Sequence, residues 1–470
     1  MASSCDSHQI ISVSRNPIES PEESFVEKIR APVDPTRRHA LESRFSLHLS
    51  SGVIQSDVSV GVSVETRVLA LCGGMVIVSG MERMTFEVLR TLSEHGAKVH
   101  CVLNSWGNTR IRPFVDAIGA SWSTGRYRVP LTRQMLHPLR LLAFTWDVLV
   151  TSFGLVRDGH RFRPTHVLVT ETFSVLKNAP TLLAMRALGL PVLLRVPNAP
   201  ERGRTQEWLW RFAIAPCLTT IVVNSEFART RCLECGLPER KLRLVRNRVA
   251  ARSTAANPRP DETALELVRE RKTLLTVGQI APFKGTHLAV EAVASLLDAG
   301  NDIQLVVLGT IPTRGDWPDD LVDYVENLRR DVEERGHEPR VHFLGNRDDV
   351  LGLMRASYLL LAPILQEETF GNVVLEAKSV GLPAVVFRRG GLPELVEHEA
   401  TGFLCGTSDA AGLIEGVRFF LDSPEQRRRA HEESLLFFES SDGPYGSAAF
   451  TNAWLRLFSM ETDLDRQASA

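Results

Sequence analysis

The sequence predicts two α/β domains, each built on a doubly wound parallel sheet. A short apolar strand, a glycine turn and an amphipathic helix follow one another repeatedly along most of the chain. This alternation is interrupted once, near residues 250–262, by the small, polar and proline-containing segment ARSTAANPRPDE, and it then starts again. The charge also changes at this break. These observations place a domain boundary near residue 252.

The two predicted domains carry opposite charge although the whole chain has a net charge of only −2. Residues 64–252 hold 27 Lys and Arg against 13 Asp and Glu, whereas residues 253–470 hold 21 against 35. A basic first half can contact anionic membrane lipid or an anionic substrate, and a salt-balanced surface between domains is the alternative. No nucleic-acid partner is expected.

Composition and cysteine use are typical of a globular protein. The chain has 470 residues, 44% of them hydrophobic and 23% charged, which suits two or three domains. Its seven cysteines show no spacing typical of a disulfide framework, which indicates reduced thiols in a cytoplasmic protein. Cys232 and Cys235 form a single C-x-x-C without neighbouring ligands, so a helix turn is expected there and a metal site is not. Residues 1–62 predict a flexible tail without a signal peptide, with one short helix near residues 38–48.

The first domain opens with a βαβ unit. A strand at 67–72 leads through Gly73 and Gly74 to a helix at 81–95, and a second strand follows at 98–103. The glycines of 73–80 do not fit G-x-G-x-x-G, so no dinucleotide fingerprint is present. Later strands and helices of this domain are predicted at 166–170, 179–188, 191–196, 206–213, 219–223, 226–234 and 242–245.

Residues 130–156 combine a basic start with a long apolar end. Asp147 interrupts the apolar part, which is too short to span a membrane comfortably. The segment predicts a helix that either packs within the domain or lies on an anionic membrane surface. In the second alternative, nearby arginines would contact the anionic lipid, namely Arg126, Arg128, Arg133 and Arg140.

The second domain repeats the strand and helix pattern with glycines after its strands. Gly278, Gly309 and Gly345 each follow an apolar strand, at the carboxyl ends where open α/β sheets bind ligands. The predicted strands and helices are 272–277, 286–297, 303–308, 317–336, 341–344, 351–356, 358–362 and 384–387.

The stretch 366–383, QEETFGNVVLEAKSVGLP, lies between two apolar strands. It predicts a loop and a helix, with Gly371 at the helix start, an arrangement that presents free backbone N–H groups to an anion. Glu368 and Glu376 stand eight residues apart, in the loop and about one and a half turns into the helix. Both carboxylates can therefore face one cleft.

Five segments together resemble the family 4 retaining glycosyltransferases of the GT-B fold. They are residues 79–100, 222–249, 276–293, 341–363 and 367–404, and the last carries the family's E-x7-E as Glu368 and Glu376. The resemblance covers roughly residues 67–460 and implies two Rossmann-like domains that face a cleft. The implied parts are a tail at 1–62, an acceptor-side domain at 63–252, a nucleotide-sugar domain at 253–445 and a helix at 446–470 that packs back on the first domain.

The resemblance implies a UDP- or GDP-linked sugar donor in the second domain. Lys284 would contact the donor diphosphate and Glu368 would lie near the sugar, as the catalytic pair. Glu376 would accept hydrogen bonds from the ribose. Backbone N–H groups of Phe370, Gly371 and Asn372 would donate to phosphate or sugar oxygens. The loops at Gly309 and Gly345 would flank the base. Gln279 stands where the family often has Arg. No metal is expected, because Lys284 and a helix N-terminus can neutralise the leaving diphosphate.

The acceptor side departs from the family. Many members carry a His after the strand at 191–196, where this chain has Pro197 and Asn198. Asn198 and Glu171 are the candidates to assist, with Gly80 and Glu82 as further acceptor-side residues. Without this His, the enzyme could have a weak activity or could use a different acceptor.

The expected activity is that of a hexosyltransferase that retains the anomeric configuration without a protein nucleophile. The acceptor would be lipid-linked, a polysaccharide or a small molecule, and the protein would be cytoplasmic or peripheral at the inner face of the membrane. Two alternatives remain. One is an isomerase or phosphorylase of the same fold, and the other is a non-catalytic scaffold.

Overall fold

A computed structural model describes residues 65–76, 80–127, 138–249, 261–315, 317–439, 443 and 445–460. These residues belong to one compact unit, Ser63–Ala470. The expected tail at 1–62, its short helix and most of the expected linker lie outside the described residues.

The first sheet has seven parallel strands in the order β3-β2-β1-β4-β5-β6-β7. Its order reverses between β1 and β4, which opens a crevice at their carboxyl ends. Strand β3, Ser121–Gly125, was not predicted, because the sequence SWSTG lacks an apolar alternation. The strands are β1 Arg67–Cys72, β2 Lys98–Asn104, β3 Ser121–Gly125, β4 His166–Val169, β5 Val192–Arg195, β6 Thr220–Val223 and β7 Leu242–Leu244.

Helices cover both faces of this sheet. They are α1 Gly80–Glu94, α2 Arg112–Ala117, α3 Pro138–Phe162, α4 Thr172–Lys177, α5 Ala179–Ala187, α6 Arg204–Trp208 and α7 Glu226–Glu234. The helix predicted at 206–213 is an α-helix only to Trp208 and continues as a π-helix over Leu209–Ile214. Cys232 lies in α7 and Cys235 directly follows it, and both are buried free thiols.

The second sheet has six parallel strands in the order β10-β9-β8-β11-β12-β13 and reverses between β8 and β11. The strands are β8 Lys272–Val277, β9 Ile303–Leu308, β10 Val341–Gly345, β11 Leu359–Ala362, β12 Ala384–Phe387 and β13 Gly402–Cys405. The helices are α8 Glu262–Glu270, α9 Thr286–Asp298, α10 Asp319–Glu334, α11 Val350–Ala356, α12 Asn372–Lys378, α13 Ala410–Leu421, α14 Pro424–Glu439 and α15 Ser447–Leu457. Two Rossmann-like sheets joined in one chain confirm the predicted fold class.

The last helix packs on the first domain. Phe450, Trp454 and Phe458 are buried in the same apolar cluster as Val68 and Phe86. Arg248, just after β7, donates to Ser447 Oγ at 2.6 Å and to Glu87 Oε2 at 2.9 Å. Helix α15 thus completes one face of the first sheet after the chain has left the second domain.

Residues 138–156 of the predicted apolar segment lie in α3, and residues 130–137 lie outside the described residues. Asp147 points into the domain, where its Oδ2 lies 3.6 Å from the Nζ of the fully buried Lys177. Within the described residues, no helix is long and apolar enough to cross a bilayer.

Helix α12 buries a lysine that sets a pH dependence of stability. Lys378 is 1% exposed, and its Nζ lies 3.4 Å from the centre of the Phe437 ring without a hydrogen-bond partner in the described part of the chain. Burial lowers the pKa of Lys378 from 10.5 to about 7, and the charge of Glu397 partly opposes this shift. Between these two pH values the amine of Lys378 is therefore protonated in the unfolded chain and neutral in the folded chain.

We expect Lys378→Met to raise the free energy of unfolding by about 3 kcal/mol at pH 7, because an apolar side chain of similar length replaces a desolvated amine. Wild-type stability should rise with pH from about 7 towards 10.5, so the difference between the two proteins should narrow. Urea unfolding over this pH range measures the effect, with Lys272→Met at an exposed position as the control. A difference that stays constant with pH would contradict the explanation.

Candidate active site

The loop before α12 is fixed by close backbone packing. Gly371 starts the helix with a φ of 98°, and a Cβ there would lie 2.5 Å from Leu392 Cδ2. The turn after β12 holds the other side of the loop, since Gly391 N donates to Glu368 O at 2.8 Å. The backbone at Glu368 is consequently held in a fixed position relative to the N-terminus of α12.

Lys284 and Glu368 form an ion pair at the carboxyl edge of the second sheet. Lys284 ends the short 3₁₀ turn Pro282–Lys284 after β8, and its Nζ donates to Glu368 Oε2 at 2.7 Å. The two side chains are 26% and 22% exposed, so both stay accessible to a ligand. An anionic ligand at this edge would meet a preorganised cation, and Glu368 would be its competitor for that cation.

The remaining donor-side residues lie at the carboxyl ends of β8, β9 and β10 and on α12. Gly309 N donates to Gly345 O at 2.9 Å, which joins the carboxyl ends of β9 and β10. Gln279 stands half-buried after β8, and Glu376 is half-buried on α12. Phe370 buries its ring, whose centre lies 6.1 Å from that of Tyr445, so only its backbone can serve a ligand.

Thr369 joins this loop to the first domain. Ala199 N donates to Thr369 Oγ1 at 3.0 Å, and Ser225 Oγ donates to Thr369 O at 2.6 Å. Asn198, the exposed residue before Ala199, is therefore next in sequence to a contact with the loop that carries Glu368. Ser225 also caps α7, because its Oγ accepts from Ala228 N at 3.0 Å.

Glu394 was not singled out by the sequence, although it binds across the cleft. Its two carboxylate oxygens accept from Phe227 N at 2.8 Å and from Glu226 N at 3.0 Å. A carboxylate at a helix N-terminus is favoured by the free N–H groups and the helix dipole. No sequence signal distinguishes this glutamate, because its partners are backbone groups far along the chain.

Asn372 forms a second bridge. Asn247 Nδ2 donates to Asn372 Oδ1 at 2.9 Å, and Asn372 Nδ2 donates to Gly80 O at 3.4 Å. Gly80, a predicted acceptor-side residue, thus contacts the first residue of α12. The starts of α1 and α12 are brought together at this point.

Glu171 and Glu82 have partners inside the first domain. Glu171 caps α4, accepting from Ser174 N and from Gly74 N, both at 2.8 Å, and burial raises its pKa. Its carboxylate therefore holds the turn after β1, and its role in assisting transfer stays a prediction. Glu82 is 5% exposed in the first turn of α1. Desolvation lowers the pKa of the buried Arg195 to about 10, and the charge of Glu82 opposes this shift.

The second domain matches a family model described as glycosyl transferases group 1 over residues 260–435. The chain is 30% identical over 311 residues to a glycogen synthase of Mycobacterium tuberculosis, covering 61% of this chain and 70% of that protein. It is also 30% identical over 168 residues to a D-inositol 3-phosphate glycosyltransferase of Corynebacterium glutamicum, covering 35% of this chain and 38% of that protein. The chain thus spans about two fifths of the length of several curated relatives that it matches.

The fold is shared with solved structures. The Anabaena protein HepE, crystallised with UDP-glucose, superposes with a TM-score of 0.65 at 17% identity. The superposition covers 84% of this chain and all of that one. At this identity the likeness shows the GT-B fold alone.

Proposed function

Because the chain belongs to the group 1 glycosyltransferases, we propose that it transfers a hexose from a nucleotide sugar to an acceptor, with retention at the anomeric carbon. The observation that carries the proposal is the Lys284–Glu368 pair beside the N-terminus of α12. This is a cationic, partly exposed edge with free backbone N–H groups, suited to a sugar diphosphate.

Departure of the nucleoside diphosphate would be the main catalytic event. The bond between the anomeric carbon and the diphosphate oxygen breaks, and the acceptor oxygen forms a bond to the same carbon. The proton of the acceptor hydroxyl would pass to the departing diphosphate. Lys284 would release Glu368 and neutralise the negative charge that grows on the leaving oxygen, with the N–H groups of α12 in support. Metal-free catalysis is part of the proposal.

Other residues of the second domain would bind and orient the donor. Glu376 would accept hydrogen bonds from the ribose, and the loops at Gly309 and Gly345 would flank the base. Gln279 would stand at the diphosphate, where the family often has an Arg. Glu368 would then orient the sugar. A UDP- or GDP-linked donor fits this arrangement.

The acceptor would approach from the first domain, past Asn198 and Gly80. Both lie at bridges to the donor loop, through Thr369 and Asn372 respectively. A lipid-linked, polysaccharide or small-molecule acceptor is compatible with this position. Peripheral contact with a membrane would suit the first of these.

We expect one UDP- or GDP-sugar from a panel to raise the melting temperature. Binding to the folded state adds RT ln(1 + [L]/Kd) to the free energy of unfolding, or about 2.7 kcal/mol at a ligand concentration of 100 Kd. Glu376→Gln should weaken this shift, whereas Glu415→Gln on α13 should keep it. Chelation by EDTA should leave the shift unchanged.

Two outcomes would contradict the proposal. Absence of a shift with every nucleotide sugar would favour a non-catalytic scaffold. Conversion of the bound sugar nucleotide into an isomer would favour the isomerase alternative, and release of a sugar phosphate from a glycan by inorganic phosphate would favour the phosphorylase.

A further inference from the structure

Helix α3 carries an apolar stripe on its outer face. Five large side chains follow one another at alternating spacings of four and three residues and are each 59–76% exposed: Leu142, Trp146, Leu149, Phe153 and Val156. This spacing places them on one face of a helix, and Leu141, 55% exposed, borders them. An apolar surface of this extent marks an interaction site.

Both acids of α3 face inward. Asp147 lies 3.6 Å from Lys177, and Asp158 accepts from Ser123 Oγ at 2.6 Å. Asp158 also pairs with Arg157 at 3.0 Å. The exposed side of the described part of α3 therefore presents no carboxylate.

The exposed charges at the end of α3 are basic. Arg157, His160 and Arg161 are exposed in its last turns, and Arg163 follows directly. Within the described residues, no acidic side chain forms an ion pair with Arg161 or Arg163. The first domain as a whole has 27 basic against 13 acidic residues. An apolar face edged by Arg, with Trp and Phe on it, suits the interface of an anionic bilayer.

We propose that α3 docks the first domain on an anionic lipid bilayer, with its axis in the plane of the interface. Leu142, Trp146 and Phe153 would enter the acyl boundary, and the terminal arginines would contact lipid phosphates. A second copy of the chain is disfavoured as the occupant, because the described part of α3 exposes no carboxylate that could pair with the arginines of the other copy. This proposal rests on the peripheral membrane contact of the proposed function and names the surface that makes it, and its test does not depend on a donor.

The full chain is tested by sedimentation with vesicles in the absence of substrates. We expect binding to vesicles of phosphatidylcholine mixed with phosphatidylglycerol, weaker binding as salt rises, and little binding to phosphatidylcholine alone. The double variant Trp146→Ser/Phe153→Ser should lower the partition coefficient at least about tenfold, since two large apolar side chains no longer enter the bilayer.

A matched control is available in the same domain. Trp208 and Phe212 are 59% and 58% exposed on α6 and the following π-helix, so Trp208→Ser/Phe212→Ser removes an equivalent pair and should keep vesicle binding. All four positions are exposed, and circular dichroism checks that each variant is folded. Three results would overturn the proposal: no vesicle binding by the wild type, equal loss in the control, or a dimer that only the α3 variant disrupts.

Discussion

Replacing Lys284 by alanine is expected to lower kcat/KM by about 10²–10³-fold, the usual effect of removing one group that stabilises transition-state charge. The ammonium lies 2.7 Å from Glu368 Oε2 and can turn to a diphosphate at the same edge without a change of backbone. The loss should fall on the chemical step, because negative charge on the leaving oxygen is greatest in the transition state. Steady-state kinetics with the donor found by thermal shift measure it.

The control is Lys272→Ala, at the opposite, amino end of β8. It removes a lysine from the same strand and should leave kcat/KM unchanged. Glu368→Gln should also lower turnover, and the two losses should be non-additive in the double variant because the residues act as one pair. A Lys284→Ala enzyme with wild-type kcat/KM would contradict the assignment of the diphosphate site.

Replacing Gly390 by alanine is expected to destabilise the protein by about 3 kcal/mol and to abolish transfer, through backbone strain together with overpacking. Gly390 has a φ of 57°, and a Cβ there would lie 2.0 Å from Glu368 O and 2.7 Å from Glu368 N. The neighbouring atoms are backbone, so relief requires the Glu368 loop to move. Denaturant unfolding and the donor-induced thermal shift report the two consequences.

Gly336→Ala separates strain from the steric clash. Gly336 ends α10 with a φ of 69°, and a Cβ there would meet no atom within 4 Å. Its substitution should cost about 1 kcal/mol and keep activity, because only the left-handed conformation is affected. Equal stability losses in the two variants would show that contact with the Glu368 loop is unimportant.

The donor side of the site was largely predictable from the sequence because its determinants are local. Gly309 directly follows β9, Gly345 is the last residue of β10, and Lys284 lies in the turn after β8. Glu368 precedes a helix that starts at Gly371. The carboxyl ends of neighbouring parallel strands meet at one edge, so position along the chain largely decides position in the site.

The acceptor side was less predictable because its partners are distant in sequence. The sequence did not indicate that the Glu171 carboxylate accepts from Gly74 N, 97 residues away, and Glu171 stays a candidate to assist transfer. Glu394 was missed, and its contacts with the start of α7 span 167 and 168 residues. Strand β3 was missed as well, since its polar sequence lacks an alternation that would reveal a buried neighbour.

The sequence by itself determined the two α/β domains and the paired acids with their lysine, because periodicity and residues after strands are local properties of the chain. Only the tertiary structure decided that Lys284 and Glu368 form an ion pair, that Thr369 and Asn372 bridge the domains, and that the apolar face of α3 points outward. These features depend on which surfaces meet when distant segments pack, and hydrophobic pattern alone does not specify which face of a helix is covered.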